Sequence, residues 1–146
     1  MGSDGVTVAH AAEVNLIDRA MKGEPTATNN VVPNTHCDLY SYSAWDTLCG
    51  DRDRFRPALD YLASKAPDSE LFGSRNVYIG EFGAPVSQYG LDGQLEITRY
   101  AVETALDWGA HYAFYWVMYD RDYGLILPDG TKTPACMYLE EMMKEE

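Results

Sequence analysis

The hydrophobic positions fall into four short blocks separated by longer stretches with helical spacing. Residues 5–14 are rich in Val and Ala and free of Pro. Residues 37–43 (CDLYSYS) alternate and carry two aromatics, and residues 76–82 (NVYIGEF) are β-branched and aromatic before Gly83. Residues 110–118 (AHYAFYWVM) form the most apolar run. Each block reads as a strand, and near-continuous apolar strands suit a parallel sheet buried on both faces.

Between the second and third blocks, Phe55, Ala58, Leu59 and Leu62 share one helical face, with Pro57 tolerated in the first turn. Between the third and fourth, Ile97, Ala101, Val102 and Ala105 form the buried stripe, with Asp92 as N-cap and Gly109 as stop. Leu125 to Gly130 predicts a short hairpin turning on Asp129-Gly130. Thr133-Pro134 opens a last helix, whose apolar face is Ala135, Tyr138, Leu139 and Met142. In the first connection, residues 15–21 predict a short helix and residues 22–35, with Pro25 and Pro33, a loop.

The predicted class is therefore α/β, with four parallel βα units in a single domain spanning residues 1–146. Four such units are half of a (β/α)₈ TIM barrel, which needs ~250 residues when complete. An open four-stranded parallel sheet is the alternative. No Gly-rich phosphate loop follows the first strand, which argues against a dinucleotide-binding sheet.

Composition narrows the partners. With 46% hydrophobic and 23% charged residues the chain is an ordinary globular domain. A net charge of −12 argues against nucleic acid and anionic membrane and suits a neutral substrate. Cys37, Cys49 and Cys136 show no zinc-ligand spacing, and an odd count does not suggest a disulfide framework, though one bridge stays open. No signal peptide and no run near the ~18 apolar residues of a membrane span is visible. Localisation is left open, because the N-terminus of a fragment says nothing about its parent.

The candidate chemistry gathers at the C-terminal ends of the strands, where barrel enzymes place their sites. Glu81 lies there between Gly80 and Gly83. A carboxylate at that point can attack an anomeric carbon, or it can simply pair with a Lys or Arg. Trp116, at the end of the next strand, offers a face for a pyranose ring or for core packing. Tyr119 and Asp120 follow it. Tyr42 and Tyr40 lie on the preceding strand. A Tyr hydroxyl there would hydrogen-bond the Glu81 carboxylate and favour its charged form, or satisfy itself against backbone. Asn15 and Tyr89 fall in regions able to touch a sugar. His10 and His111 read as core histidines, and His36 lies at the wrong end of its strand. Glu140, Glu141, Glu145 and Glu146 read as a solvated helix end.

These motifs carry a resemblance. The run Asn76 to Pro85 (NVYIGEFGAP) resembles the seventh-strand nucleophile motif of clan A glycoside hydrolases, such as the cellulase-like family five. Residues 37–46 (CDLYSYSAWD) are similar to their sixth strand, and Tyr112 to Trp116 (YAFYW) to their eighth, which ends in a substrate-platform Trp. Residues 123–134 resemble the approach to their last helix. The resemblance implies barrel strands five to eight, with Glu81 as nucleophile, Trp116 as platform and Tyr42 as partner of Glu81. The acid/base of such enzymes is a Glu after Asn near the end of the fourth strand, and no matching Asn-Glu-Pro occurs here. Glu13 is the nearest candidate, although its residue order is wrong and its strand fits the fifth. The implied function is a retaining glycoside hydrolase acting on a β-linked oligo- or polysaccharide, with neither cofactor nor metal, and with the nucleophile but not the acid/base in this chain. The rival reading is a non-catalytic carbohydrate-binding or scaffold remnant. Half a barrel leaves two open sheet edges, so the expected partner is a missing N-terminal half or a second copy.

Overall fold

The structure, a computed structural model, describes residues 7–10 and 17–144. It is a mixed α/β arrangement built on a parallel sheet. Four strands pair in the order β1-β2-β3-β4: β1 Val8–His10, β2 Leu39–Ser43, β3 Val77–Phe82 and β4 Ala113–Tyr115. Every pairing is parallel, so each connection must cross back over the sheet.

The connections are unequal, and the expected four regular βα units do not form. Only β2 to β3 and β3 to β4 are joined by long helices, α4 (Phe55–Lys65) and α5 (Val86–Trp108). Between β1 and β2 lie α1 (Ile17–Met21), α2 (Ala27–Asn30) and a 3₁₀ turn over Val32–Asn34, so the expected loop over residues 22–35 is partly helical. Its polar residues are turned inward to organise it. The Thr26 hydroxyl accepts from the Asn29 N–H at 3.3 Å, and Asn29 Nδ2 donates to the Ala20 and Glu24 carbonyls, each at 2.8 Å. The single turn α3 (Trp45–Leu48) follows β2, and α6 (Pro134–Met142) follows the irregular stretch after β4.

Helical periodicity is borne out where it is strongest. Phe55, Ala58, Leu59 and Leu62 of α4 are buried, as are Ile97, Ala101, Val102 and Ala105 of α5. The long helix ends at Gly109 in left-handed conformation, as expected. Its start differs from the expectation. Gly90 takes φ 68° and ψ 176°, so a first turn at residues 86–89 is offset from the main helix, and Asp92 falls inside that helix rather than capping it. Only glycine adopts such a conformation without cost. Gly130 closes the Asp-Gly turn with φ +85°, and Ile126 bridges Lys132 across it. Thr133 caps α6 by accepting from the Cys136 N–H at 3.2 Å. Glu140 is less solvated than expected, since Lys132 Nζ donates to it at 2.5 Å. The three cysteines are free.

The core lies between the sheet and the helices. Tyr40, Tyr42, Val77, Ile79 and Phe82 point into it and meet α4 and α5. On the opposite face Leu39, Ser41 and Ser43 of β2 are buried as well, whereas the β4 end is not covered by any described element, contrary to the two-sided burial read from the apolar run at 110–118. Alternation on β4 turns Ala113 and Tyr115 toward the helices and leaves Tyr112, Phe114, Trp116 and Met118 exposed at 46%, 53%, 51% and 51%. Tyr112 stacks on Phe114, and both meet the edge of Tyr78. His111 is exposed against Phe72 rather than in the core, and His36 is exposed ahead of β2. The side chain of His10 lies outside the described residues.

Candidate active site at the strand ends

Glu81 sits one residue from the end of β3, half-buried, where three strand ends meet. Ser43, the last residue of β2, donates its hydroxyl to Glu81 Oε2 at 3.1 Å. The indole N–H of Trp45, first residue of α3, donates to the same oxygen at 3.3 Å. Two donors on Oε2 hold the carboxylate in one orientation, and no described residue donates to Oε1. The Trp45 ring meets Trp116 edge-on at 6.0 Å and Tyr123 at 5.7 Å, so the indole that holds the carboxylate is itself packed against two further rings.

Local backbone explains why the two residues meet. Ser43 is the register partner of Glu81, and the ladder slips between Tyr42 and Ser43. That irregularity brings Glu81 to the face that carries Ser43, at the point where both strands end. Gly80 is required beside it: a Cβ there would lie 1.8 Å from Ser41 Oγ and 3.1 Å from Ser41 Cβ, and Ser41 is buried. Gly80→Ala is therefore expected to destabilise the fold by ~1–3 kcal/mol, as overpacking does. Adding Ser41→Ala should recover part of the loss, read from urea unfolding midpoints of the single and double variants. Independent losses that simply add would show that the contact is not the cause.

The loops of the mouth are tied together. The Ser87 N–H and hydroxyl donate to Asp122 at 2.7 and 2.9 Å, and the Val86 N–H donates to the Asp122 carbonyl at 2.8 Å. Gln94 of α5, fully buried, donates to the carbonyls of Ala84 and Gly124 at 3.3 and 3.4 Å. The segment after β3 is thereby fixed to the segment after β4.

Several expected site residues are placed elsewhere. Tyr42 does not reach Glu81. It points into the core, fully buried, and its hydroxyl donates to Asp46 Oδ1 at 2.8 Å. Burial above all, with the Asp46 charge, pushes that phenol far above its ordinary range. Tyr40 is likewise buried, and its hydroxyl donates to the Thr35 carbonyl, so it offers nothing to a substrate. The reason is parity, since Tyr40 and Tyr42 share the helix-facing side of β2 while Ser43 shares the face of Glu81. Tyr89 is half-buried and donates to the Cys49 carbonyl at 2.8 Å. Tyr119 and Asp120 border a separate open hollow of about 400 Å³ formed with Ile126 and Pro128. Asp120 accepts from the N–H groups of Tyr123 and Asp122, each at 2.8 Å, which hold its carboxyl below the ordinary range. Its role is to fix that turn. Trp116 stands at the mouth, half-exposed. Glu13 and Asn15 lie outside the described residues.

Asp46 adds a pH dependence. Burial raises its pKa from 3.8, offset by the Tyr42 hydroxyl and the N–H groups of Ile17 and Thr47. The folded value then exceeds the unfolded one, so the native state keeps the proton over a range where the unfolded chain has lost it. Stability contributed by this group is greatest below the ordinary carboxylate value, falls as pH rises through the raised value, and is constant above it. Asp46→Asn should remove that slope. Urea midpoints of both proteins between about pH 3 and pH 7 check it, and parallel pH profiles would exclude Asp46 as the source.

Ser43, Trp45 and Tyr123 were not singled out by the sequence. The signal for the first two was the string Ser43-Ala44-Trp45 directly after a strand that neighbours Glu81. Chemically the group offers one oriented carboxylate beside an exposed indole. Among the described residues no second carboxylate is hydrogen-bonded into it, and none of their His, Cys, Asp or Glu form a cluster able to hold a metal ion. No helix among the described residues is long and apolar enough to cross a membrane. The chain matches no protein-family model, no curated protein and no solved structure.

Proposed function

We propose that the chain carries the nucleophile half of a retaining glycoside hydrolase site, built on strands five to eight of a (β/α)₈ barrel and acting on a β-linked glycan. The observation that carries this reading is the Glu81 carboxylate, held on one oxygen by Ser43 and Trp45 at a strand end beside half-exposed Trp116. The resemblance of residues 76–85 to the clan A nucleophile motif supports it. So does the uncovered β4 end of the sheet face, which in a closed barrel would be interior.

In the proposed reaction Oε1 of Glu81, to which no described residue donates, attacks the anomeric carbon. The bond to the leaving oxygen breaks as a glycosyl ester forms, and water then cleaves that ester. Ser43 and Trp45 stabilise the carboxylate when it is released again. The proton for the leaving oxygen comes from a second carboxylate on the strands that complete the barrel. Trp116 binds the apolar face of a pyranose.

A second reading, carbohydrate binding without chemistry, is favoured by the exposed Trp116 next to a carboxylate to which no second carboxylate is bonded among the described residues. One experiment separates the two. A dinitrophenyl β-glycoside fluorinated beside the anomeric carbon expels dinitrophenolate without a proton donor and traps the ester. Incubation with a panel of such sugars should release one equivalent of dinitrophenolate and add one fluoroglycosyl group to the peptide that contains Glu81. Sugar binding with no adduct would favour the non-catalytic reading.

A further inference from the structure

We infer that a second copy of this chain covers the bare sheet face, closing the two sheets into one eight-stranded barrel whose mouth holds both Glu81 side chains. The inference rests on the proposed glycosidase reading for its chemistry, but its geometry stands apart from it.

The topology is self-complementary. The strands run in sequence order, all parallel, and among the described residues neither β1 nor β4 has an outer partner. Rotating the chain by half a turn about an axis along the strands keeps all eight strands parallel. It sets β4 of each copy beside β1 of the other. Two identical contacts of that kind close on themselves with eight strands, whereas a rotation that is not a whole fraction of a turn leaves an open edge and a growing chain. Eight strands also give an interior just wide enough for side chains to fill, and the Tyr78, Tyr112 and Phe114 cluster of each copy would fill it.

The uncovered surface is aromatic and apolar. An aromatic side chain carries ~200 Å², so the open halves of Tyr112, Phe114 and Trp116 alone leave roughly 300 Å² of apolar surface. Along the outer edge of β4 runs an open groove of about 860 Å³, walled by Val102, Leu106, Leu139, Met142 and Met143. Leu106 and Met143 are themselves exposed. The face and groove supply part of the ~800 Å² that each partner buries in a stable complex, and in the pair the groove receives β1 of the other copy, whose Val8 is exposed. Charge opposes the pairing, since each copy carries −12. Salt screens charges beyond ~8–10 Å, so the dimer should tighten as salt is added.

Closure supplies a second carboxylate that the described residues of one copy do not bring to the site. With both Glu81 side chains at one mouth, the carboxylate of one copy can serve as nucleophile and the carboxyl of the other as acid. The ionised Glu81 attacks the anomeric carbon while the protonated one gives its proton to the leaving oxygen. That second carboxylate then takes a proton from the water that cleaves the ester.

The test is sedimentation equilibrium of the whole chain at several salt concentrations, with two variants. In β4 the Tyr112 carbonyl and the Trp116 N–H bond to β3, so the alternating Ala113 N–H points to the outer edge. Ala113→Pro blocks that edge, and Phe114→Lys puts a charge on the bare face. The expected result is twice the 16.3 kDa chain mass, with either variant halving it while circular dichroism shows a retained fold. A folded monomer at high salt overturns the inference. So does an open-ended polymer, or a dimer that both variants leave intact. A monomer that still forms the adduct at Glu81 would reject the dimer and keep the glycosidase, and a disruptable dimer that forms no adduct would do the reverse.

Discussion

Replacing Glu81 by Gln is expected to abolish the fluoroglycosyl adduct and to lower kcat/KM for aryl β-glycosides by ~10³–10⁵-fold, equivalent to ~4–7 kcal/mol of transition-state stabilisation. The amide keeps the size and shape of the carboxylate and can still accept from Ser43 or Trp45, so the fold should persist and the loss should report chemistry. An amide oxygen is a poor nucleophile, and it carries no charge to balance the developing oxocarbenium ion. Glu81→Ala goes further, leaving a space in which azide can attack the anomeric carbon. A retaining nucleophile is replaced there from its own face, so the glycosyl azide should have the α configuration. Hydrolysis unchanged in both variants would remove Glu81 from the mechanism.

Trp108→Ala is expected to cost ~3–5 kcal/mol, the range for deleting a large buried aromatic. Against a total stability of ~5–15 kcal/mol, that is enough to unfold much of the population. Trp108 ends α5 almost fully buried, and it joins three parts of the molecule. Its indole N–H donates to Asp60 of α4 at 2.8 Å, its carbonyl accepts from Arg75 at 2.5 Å, and the Arg75 guanidinium stacks 5.7 Å from its ring. Trp108→Phe keeps most of the volume and the backbone contact but loses the Asp60 bond, so it should cost ~1–2 kcal/mol. Urea unfolding measures both. Equal losses would mean that the hydrogen bond, not the packing, dominates.

The parts of the fold legible in the sequence are those in which one periodicity runs uninterrupted. The buried faces of α4 and α5, the Asp129-Gly130 turn and the Thr133 cap depend on neighbours within a few residues, and all form as expected. Side-chain direction at the site was not legible, because it depends on strand register, and a shift of one residue reverses every face. Glu81 was readable from its motif, but the slip between Tyr42 and Ser43 decides that Ser43 rather than Tyr42 meets it. Trp45 lay outside any strand pattern, and only the turn of α3 brings its indole back over the carboxylate. Apolar character alone could not show that β4 is covered on one side. Its alternating partners Phe114 and Trp116 look the same in a sequence whether a second layer is present or not.

The distribution of the indoles has a spectroscopic consequence. The chain has three tryptophans. Trp108 is sealed in the core, while Trp45 and Trp116 meet edge to face at the mouth, with Trp45 bonded to Glu81. Emission from the core indole therefore reports the integrity of the packed layer, and emission from the other two reports what touches the carboxylate. In Trp108→Phe the whole fluorescence signal comes from the mouth, so a sugar can be titrated by colour shift without a label. Energy transfer between the two close indoles should depolarise that signal until a ligand parts them.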